Sequence, residues 1–515
     1  MDMKRSDDDN EHAVLSWRGW GQHPQKFGLE MQNPWSNHLL NGCKQIETRG
    51  YDLPPTLLSK DNEEVKIDIL ESQQGKDGVS VVPNVVHLTS QSPLKRIGWA
   101  TFVQSFRYTT RQQFEIDADK HLVDPSSAYG WSDDRPMYGW VVGRCGTYIA
   151  DESTNNIIAK RRMRSLFQIG KKPTVLITGA SGMLGRAVYR LLCQEDSLKV
   201  IGTGYTRLKV DDYNLHQLDL LDHDTTTEFI NKQKPDIIVH CAAERYPDAF
   251  ESKLVESVKL NVESTRHLAQ ECKRLAGDNN DNLGPYLIYI STSYVFDGGI
   301  VSKELPPYKP GSKTNPINNY GHSKWDGECV VREILNNQSI IPGNGIIVRV
   351  PLLYGEDCND LSESPALEMM KCFLPSNDKT TSKKVIDHWA LRFPTSCEDV
   401  ANVLKLMIQR ILDNKFPVTD SSFGNTYHVA YPHGTTKYEL MKMQAKLLNI
   451  SSSLVEERTE GNSDGPPIDS APRPQCTQLD CSETWKALGE QIEFTTLEDG
   501  MSKALKGFPD RFIKE

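Results

Sequence analysis

The sequence predicts an α/β protein, a doubly wound parallel sheet with a smaller substrate-side lobe, preceded by a small β-barrel domain. Three observations carry this expectation. From residue 173 onward, apolar strand-like runs alternate with helical patterns, as in a parallel sheet covered on both faces. The run Val175-Leu-Ile-Thr178 ends in glycines at 179, 182 and 185 and passes straight into an amphipathic helix. Before residue 150 the chain instead carries short β-like runs rich in Trp and Tyr, such as Gly98–Val103 and Tyr138–Gly143.

Composition bounds the function classes. A chain of 515 residues has room for two or three domains, and 38% hydrophobic with 25% charged residues fits a globular protein. A net charge of -10 argues against a protein that coats nucleic acid over its whole surface, but leaves room for a local basic patch. The eleven cysteines contain no CxxC pair and read as reduced thiols in an intracellular compartment. Met1–Asn10 lacks the apolar core of a signal peptide, and no run approaches the roughly 20 apolar residues that span a bilayer. The cytoplasm is the expected compartment, the nucleus the alternative, and no membrane partner is expected. The thirteen histidines do not cluster with cysteines at ligand spacing, so no metal site is expected.

The elements follow in order. Residues 14–150 form the β-rich block, with a polar surface excursion over about 55–80. Residues 151–172 read as a linker with a helical turn or two. Its basic cluster Lys160-Arg-Arg-Met-Arg164 reads as a solvated face rather than an import signal. The α/β block runs over 173–512. After the glycine turn, Met183, Leu184, Ala187, Val188, Leu191 and Leu192 share one helix face. Strand-like runs follow at Val200–Gly204, Asp236–Ala243, Tyr286–Ser291 and Gly345–Val350, with helical patterns through Val255–Ala276 and from Tyr320. The more mixed residues 355–510, with a Gly/Pro/Asp-rich stretch at 460–475, form the smaller lobe, partly interleaved with the sheet.

The turn Thr178-Gly179-Ala-Ser181-Gly182-Met183-Leu184-Gly185 carries the first chemistry. Its glycines let the backbone turn sharply and approach a pyrophosphate, and the helix start offers free N–H groups and a positive dipole end. The loop after the second strand contains Arg207 and Lys209. An acidic residue there would hold the ribose 2′-hydroxyl of NAD, whereas arginine takes the 2′-phosphate, so NADP is expected in preference to NAD. Tyr320 and Lys324 lie one helical turn apart on one face. An ammonium near a phenol lowers its pKa from about 10 and fits it to exchange a proton with a carbonyl or alcohol. Thr292, after the apolar run Tyr286–Ile290, is the hydroxyl expected to hold a substrate oxygen.

The pair of motifs Thr178-Gly-x-x-Gly-x-x-Gly185 and Tyr320-x-x-x-Lys324 resembles the extended short-chain dehydrogenase/reductase family, with its Rossmann-type sheet. The resemblance implies further cofactor positions: Asp219 and Leu220 at the adenine, Cys241, Ala242 and Ala243 in the loop after the fourth strand, the structural Asn261, and the Arg349–Gly355 turn. Ser291-Thr-x-Tyr-Val-Phe-Asp-Gly298 is similar to dTDP-4-dehydrorhamnose reductases. Three longer stretches, Cys241–Asp248, Asp387–Thr395 and Arg473–Ser482, resemble the regulatory β subunits of methionine adenosyltransferase. That resemblance covers about 170–505 and implies NADP binding and a catalytic-subunit partner in S-adenosylmethionine synthesis. The alternative it leaves open is an active NADPH-dependent reductase of a dTDP-keto sugar. Ser293 stands where the family carries Asp, and the ending Gly507–Glu515 reads as a shortened docking tail.

In the first block, Pro34-Trp35 opens a short helix that ends at Asn41-Gly42. The pattern Gly42-x-Lys44-x-x-Glu47-x-Arg49 resembles the ASCH domain, a small barrel related to PUA RNA-binding modules. Lys44 and Arg49 beside Trp35 could hold a phosphate and stack a base. The other reading is an ion-pair set with Glu47 that only orders the barrel mouth. Relatives that hydrolyse modified cytidines carry Thr at the Glu47 position, so the resemblance implies binding of RNA or a modified nucleoside rather than hydrolysis.

Overall fold

The computed structural model describes residues 26–59, 64–72, 82, 85–88, 92–124, 126–127, 129–148, 157–210, 213–276, 285–336, 343–356, 358, 360–373, 384–413, 416, 425–450, 455–458, 471–506 and 508. Residues 14–25, 60–63, 73–80, 460–470 and the tail beyond 508 lie outside the described residues; within the stretch expected as a surface excursion, Ile67–Ser72 is instead a strand with Ile67 and Ile69 in the core. The chain divides into two compact units, Met1–Lys172 and Pro173–Glu515. No helix among the described residues is long and apolar enough to cross a membrane.

The first unit is built on an eight-stranded mixed sheet. Its strands are β1 (Lys26–Gln32), β2 (Ile46–Arg49), β3 (Ile67–Ser72), β4 (Val85–His87), β5 (Leu94–Tyr108), β6 (Met137–Thr147), β7 (Ile157–Met163) and β8 (Leu166–Lys171). They run in the order β2-β6-β5-β3-β1-β8-β7-β4. Only β1 and β3 pair in parallel among these. The long β5 bends at bulges between Ala100 and Gln104, which curves the sheet around its core. That core gathers Leu29, Ile67, Ile69, Phe102 and Trp140, and Trp140 meets Tyr51 and Phe102 edge to face at 5.3 and 5.5 Å.

The segment expected to link the two blocks is instead part of this sheet. β7 and β8 form an antiparallel hairpin from Ile157 opposite Lys171 onward, with Ala159, Phe167 and Ile169 buried. The basic residues between them mask the two-residue alternation of Phe167 and Ile169, which is why the stretch reads as a polar linker.

The second unit holds a seven-stranded, wholly parallel sheet. Its strands are β9 (Thr174–Thr178), β10 (Lys199–Gly204), β11 (His216–Gln217), β12 (Ile237–His240), β13 (Tyr286–Thr292), β14 (Gly345–Val350) and β15 (Asn425–His428). The order is β11-β10-β9-β12-β13-β14-β15. The winding reverses between β9 and β12, and a crevice opens there at the carboxyl ends of the strands. β9, β12 and β14 are buried along their whole length, as strands with helices on both faces must be.

Helices Met183–Cys193 and Cys397–Leu412 pack on one face around Val188, Leu192, Val400 and Leu404. Ser264–Ala276 and Asn319–Leu335 cover the other around Leu268, Cys272 and Val331. The expected long helix over Val255–Ala276 is interrupted by a π turn at Lys259–Glu263, which carries Asn261 inward, where it is buried. Such single π turns favour functional sites.

Candidate functional site

A cleft of about 910 Å³ runs along the carboxyl ends of the parallel strands. Its floor is the glycine turn. Gly179 has φ +67°, and a Cβ there would stand 2.7 Å from the Ala242 nitrogen. A Cβ on Gly185 would stand 2.2 Å from the Gly179 carbonyl oxygen. The turn therefore closes only with glycine at both positions. Gly182 is the N-cap of the following helix and supplies no side-chain cap, which leaves first-turn N–H groups for a ligand.

The reacting end lies where β13 meets the helix Asn319–Leu335. Asn318 caps that helix, its side chain accepting from the Gly321 nitrogen at 2.7 Å. Burial raises the Tyr320 phenol to about 12, against a hydrogen bond with Thr292 that pulls it down. Lys324 is lowered to about 7, chiefly by burial, while Glu328 and Cys241 oppose the shift. Its ammonium stands 4.1 Å over the Tyr289 ring.

Tyr294 and Glu244 add to the rise of Tyr320, and Arg245 opposes it. For Tyr320 as for Lys324 the largest influence is desolvation. Burial dominates both groups and drives both toward their neutral forms.

Behind the site lies a buried ion-pair network. Glu328 accepts from Arg349 Nε and Nη2 at 2.8 and 2.7 Å, from Ser291 Oγ at 2.6 Å and from Arg332 Nη2 at 2.8 Å. Burial alone would raise this carboxyl, yet Arg349 and the hydrogen bonds bring it down to about 2. The cleft is also lined by Arg392, Lys437 and Arg473. Arg392 is buried and donates to the Pro474 carbonyl at 3.0 Å, and Arg473 pairs with Asp248 at 2.7 Å. Burial lowers Lys437, with Tyr294 opposing and the two arginines reinforcing the shift.

The first unit has a cleft of its own, of about 510 Å³. It brings together the four residues singled out there. Glu47 lies 3.1 Å from Lys44 Nζ and 2.8 Å from Arg49 Nη2, and Lys44 stands 4.9 Å over the Trp35 ring. Arg161, Arg164, Tyr51 and Tyr129 complete the walls. Among these, Arg161 pairs with Glu30 at 2.8 Å, and Arg164 donates to the Gly50 carbonyl at 2.7 Å. Both arginines come from the β7–β8 hairpin, so reading that stretch as a linker hid them.

A family model described as the RmlD substrate binding domain matches residues 173–507. The chain belongs to that family. Methionine adenosyltransferase 2 subunit beta of Xenopus tropicalis is 38% identical over 320 residues, which are 62% of this chain and 84% of that protein. A Haloferax volcanii protein named "Probable low-salt glycan biosynthesis reductase Agl14" is 27% identical over 65% of this chain and 98% of its own. UDP-glucose 4-epimerase of Thermotoga maritima, solved with UDP-glucose, superposes with a TM-score of 0.51 at 17% identity. It covers 65% of this chain and 99% of its own, a likeness of fold alone.

Within the RmlD-family unit, most of the expected residues meet in one cleft. Gly179, Ser181, Gly182, Met183, Leu184 and Gly185 line it along the turn. Arg207, Asp219, Leu220, Cys241, Ala242 and Ala243 line the flanking loops, and Thr292, Tyr320 and Lys324 the far wall.

Three do not line it. Thr178 is buried with its hydroxyl 2.7 Å from His240 Nδ1. Asn261 spends its amide on the Glu244 backbone at 2.8 and 3.0 Å and on Ser323 Oγ at 3.1 Å. Arg349 points into the Glu328 network. Thr178 and Arg349 are on strands, where side chains alternate and only every second one reaches the crevice, while Asn261 on the π turn holds the Glu244 loop in place. Ser293, at the family's Asp position, bonds Thr477 Oγ1 at 3.0 Å. Arg245, Tyr246, Arg392 and Arg473 lie within the three longer stretches but went unread as site residues, and Lys437 lies outside all three, because the side chains that line one cleft come from separate segments.

Proposed function

We propose that the RmlD-family unit binds NADP and acts as a regulatory subunit for a methionine adenosyltransferase catalytic subunit in the cytoplasm. The observation that carries this is the 38% identity over 84% of Methionine adenosyltransferase 2 subunit beta. The cleft's donors suit the cofactor. The Gly179–Gly185 turn would take the pyrophosphate, Asp219 and Leu220 the adenine, and Arg207 the 2′-phosphate. When bound, the nicotinamide can supply a hydride donor or acceptor.

Beside it, Tyr320 and Thr292 would hold a carbonyl oxygen between two hydroxyls, with the phenol as the proton donor. Lys324, near half-protonation at neutral pH, would steady the ribose and replace the phenol's proton. This geometry favours a second reading, an NADPH-dependent reductase of a dTDP-keto sugar. The cations Arg392, Lys437 and Arg473 suit the charge of such a nucleotide.

One experiment separates the two. The chain is co-expressed with the catalytic subunit, the complex is purified, and methionine affinity is measured with and without it. The same preparation is then assayed for NADPH oxidation with dTDP-keto sugars. The regulatory reading expects a stable complex and a shifted methionine KM. No complex, together with keto-sugar turnover abolished in Tyr320→Phe, would replace it with the reductase reading.

The first unit, similar to ASCH domains, is read as a module for RNA or a modified nucleoside. Its cleft sets Trp35, Lys44, Glu47 and Arg49 together. In filter binding by the full chain, Lys44→Ala is expected to weaken RNA binding at least tenfold and to flatten the salt dependence by about one charge. Binding indifferent to both the substitution and salt would remove this reading.

A further inference from the structure

The carboxylate of Glu363 bridges two arginines. Its Oε2 accepts from Arg186 Nη2 at 2.7 Å and its Oε1 from Arg207 Nη1 at 2.7 Å. Arg186 directly follows the last glycine of the turn, on the helix Met183–Cys193, and is buried. Arg207 lies in the loop after β10 and is half exposed. Glu363 ends a three-residue turn, Leu361–Glu363, in the substrate-side lobe. Asp360 caps that turn, accepting from the Ser362 nitrogen at 2.8 Å.

The same turn is gripped by a second loop. Arg245 Nη2 donates to the Ser362 carbonyl at 3.4 Å, and the Tyr246 hydroxyl donates to the same oxygen. Arg207 follows β10 and Arg245 follows β12, the two strands that flank β9. Residues 361–363 therefore reach across the carboxyl end of β9, over the glycine turn, tied at both sides.

A carboxylate whose two oxygens each take a guanidinium N–H presents to the arginines what a phosphate monoester would. We propose that Glu363 is an internal competitor for the 2′-phosphate of NADP. Its Oε1 holds Arg207. A nucleotide carrying a 2′-phosphate takes Arg207 from it and loosens the 361–363 strap, whereas one with a free 2′-hydroxyl leaves the strap tied. The inference rests on the reading that the cleft takes a nicotinamide dinucleotide, and it makes the strap the element by which the lobe distinguishes NADP from NAD.

The test uses the full chain, with dissociation constants for NADPH and NADH measured by titration on the wild type and on Glu363→Gln. Removing the competing charge while keeping the side chain's shape is expected to tighten NADPH at least tenfold and to leave NADH within twofold. An unchanged NADPH-to-NADH ratio, or weaker NADPH binding, would overturn the proposal. The second outcome would make Glu363 a positioning residue for Arg207.

Hydrogen exchange on the wild type gives an independent reading should the variant not fold. The peptide spanning Asp360–Glu363 is expected to exchange faster with NADPH than with NADH, and equal exchange with the two would also overturn the proposal. If neither nucleotide binds wild type or variant, the cofactor reading falls and this inference with it. Binding of both without discrimination by the strap removes the inference alone.

Discussion

Replacing Gly185 by alanine is expected to weaken NADPH binding more than a hundredfold and to destabilise the RmlD-family unit by about 1–3 kcal/mol. The Cβ would stand 2.2 Å from the Gly179 carbonyl oxygen and 2.8 Å from its carbon. Both obstacles are backbone, so no side-chain rotation relieves them. The turn must open, and opening it moves the amides that would face a pyrophosphate. Nor can Gly179 yield, because it has φ +67° and its own Cβ position is closed off by the Ala242 backbone. Nucleotide titration followed by urea unfolding measures both effects. An alanine variant that binds NADPH within threefold of the wild type would show that the ligand does not use this turn.

The Glu328 network carries the second large effect. Glu328→Gln leaves Arg349, 1% exposed, without a counter-charge, and breaking a buried pair by removing one partner destabilises by about 3–5 kcal/mol. The pH dependence has a definite sign. The folded carboxyl sits near 2, below its ordinary value of 4.5. Its contribution is therefore fully present above about 4.5 and is lost as pH falls through about 2. Urea unfolding of wild type and variant at pH 6 and pH 3 should give a gap that narrows at the lower pH. A constant gap would place the stabilisation in packing rather than charge. Arg349→Met combined with Glu328→Leu should recover part of the loss, since it removes both buried charges together.

How far the sequence discloses this protein depends on whether a feature is contiguous. The glycine turn, Thr292 and the Tyr320–Lys324 pair are each encoded within one strand end or one helix turn, and they meet in one cleft. The parallel sheet was legible for the same reason, in runs such as Val175–Thr178 and Ile346–Val350. Residues contributed by the lobe were not legible. Glu363 meets Arg186 across 177 positions, and no periodicity announces such a pairing.

Three assignments drawn from family resemblance went to the neighbours of the cleft rather than its surface. Thr178, Asn261 and Arg349 act through His240, Glu244 and Glu328, inside the wall. The hairpin 157–171 was obscured by its arginines, whose charge suggests solvent although Arg161 is mostly enclosed beside Glu30.

Thr292 is held in place before any molecule enters. Its Oγ1 accepts from the Tyr294 nitrogen at 3.3 Å, which fixes the oxygen and leaves its proton for an incoming acceptor. A hydroxyl that swaps one solvent partner for a guest adds little net attraction. Tight capture must then come from Arg392, Lys437, Arg473 and the dinucleotide crevice, and the hydroxyl is left to decide only how the guest is turned.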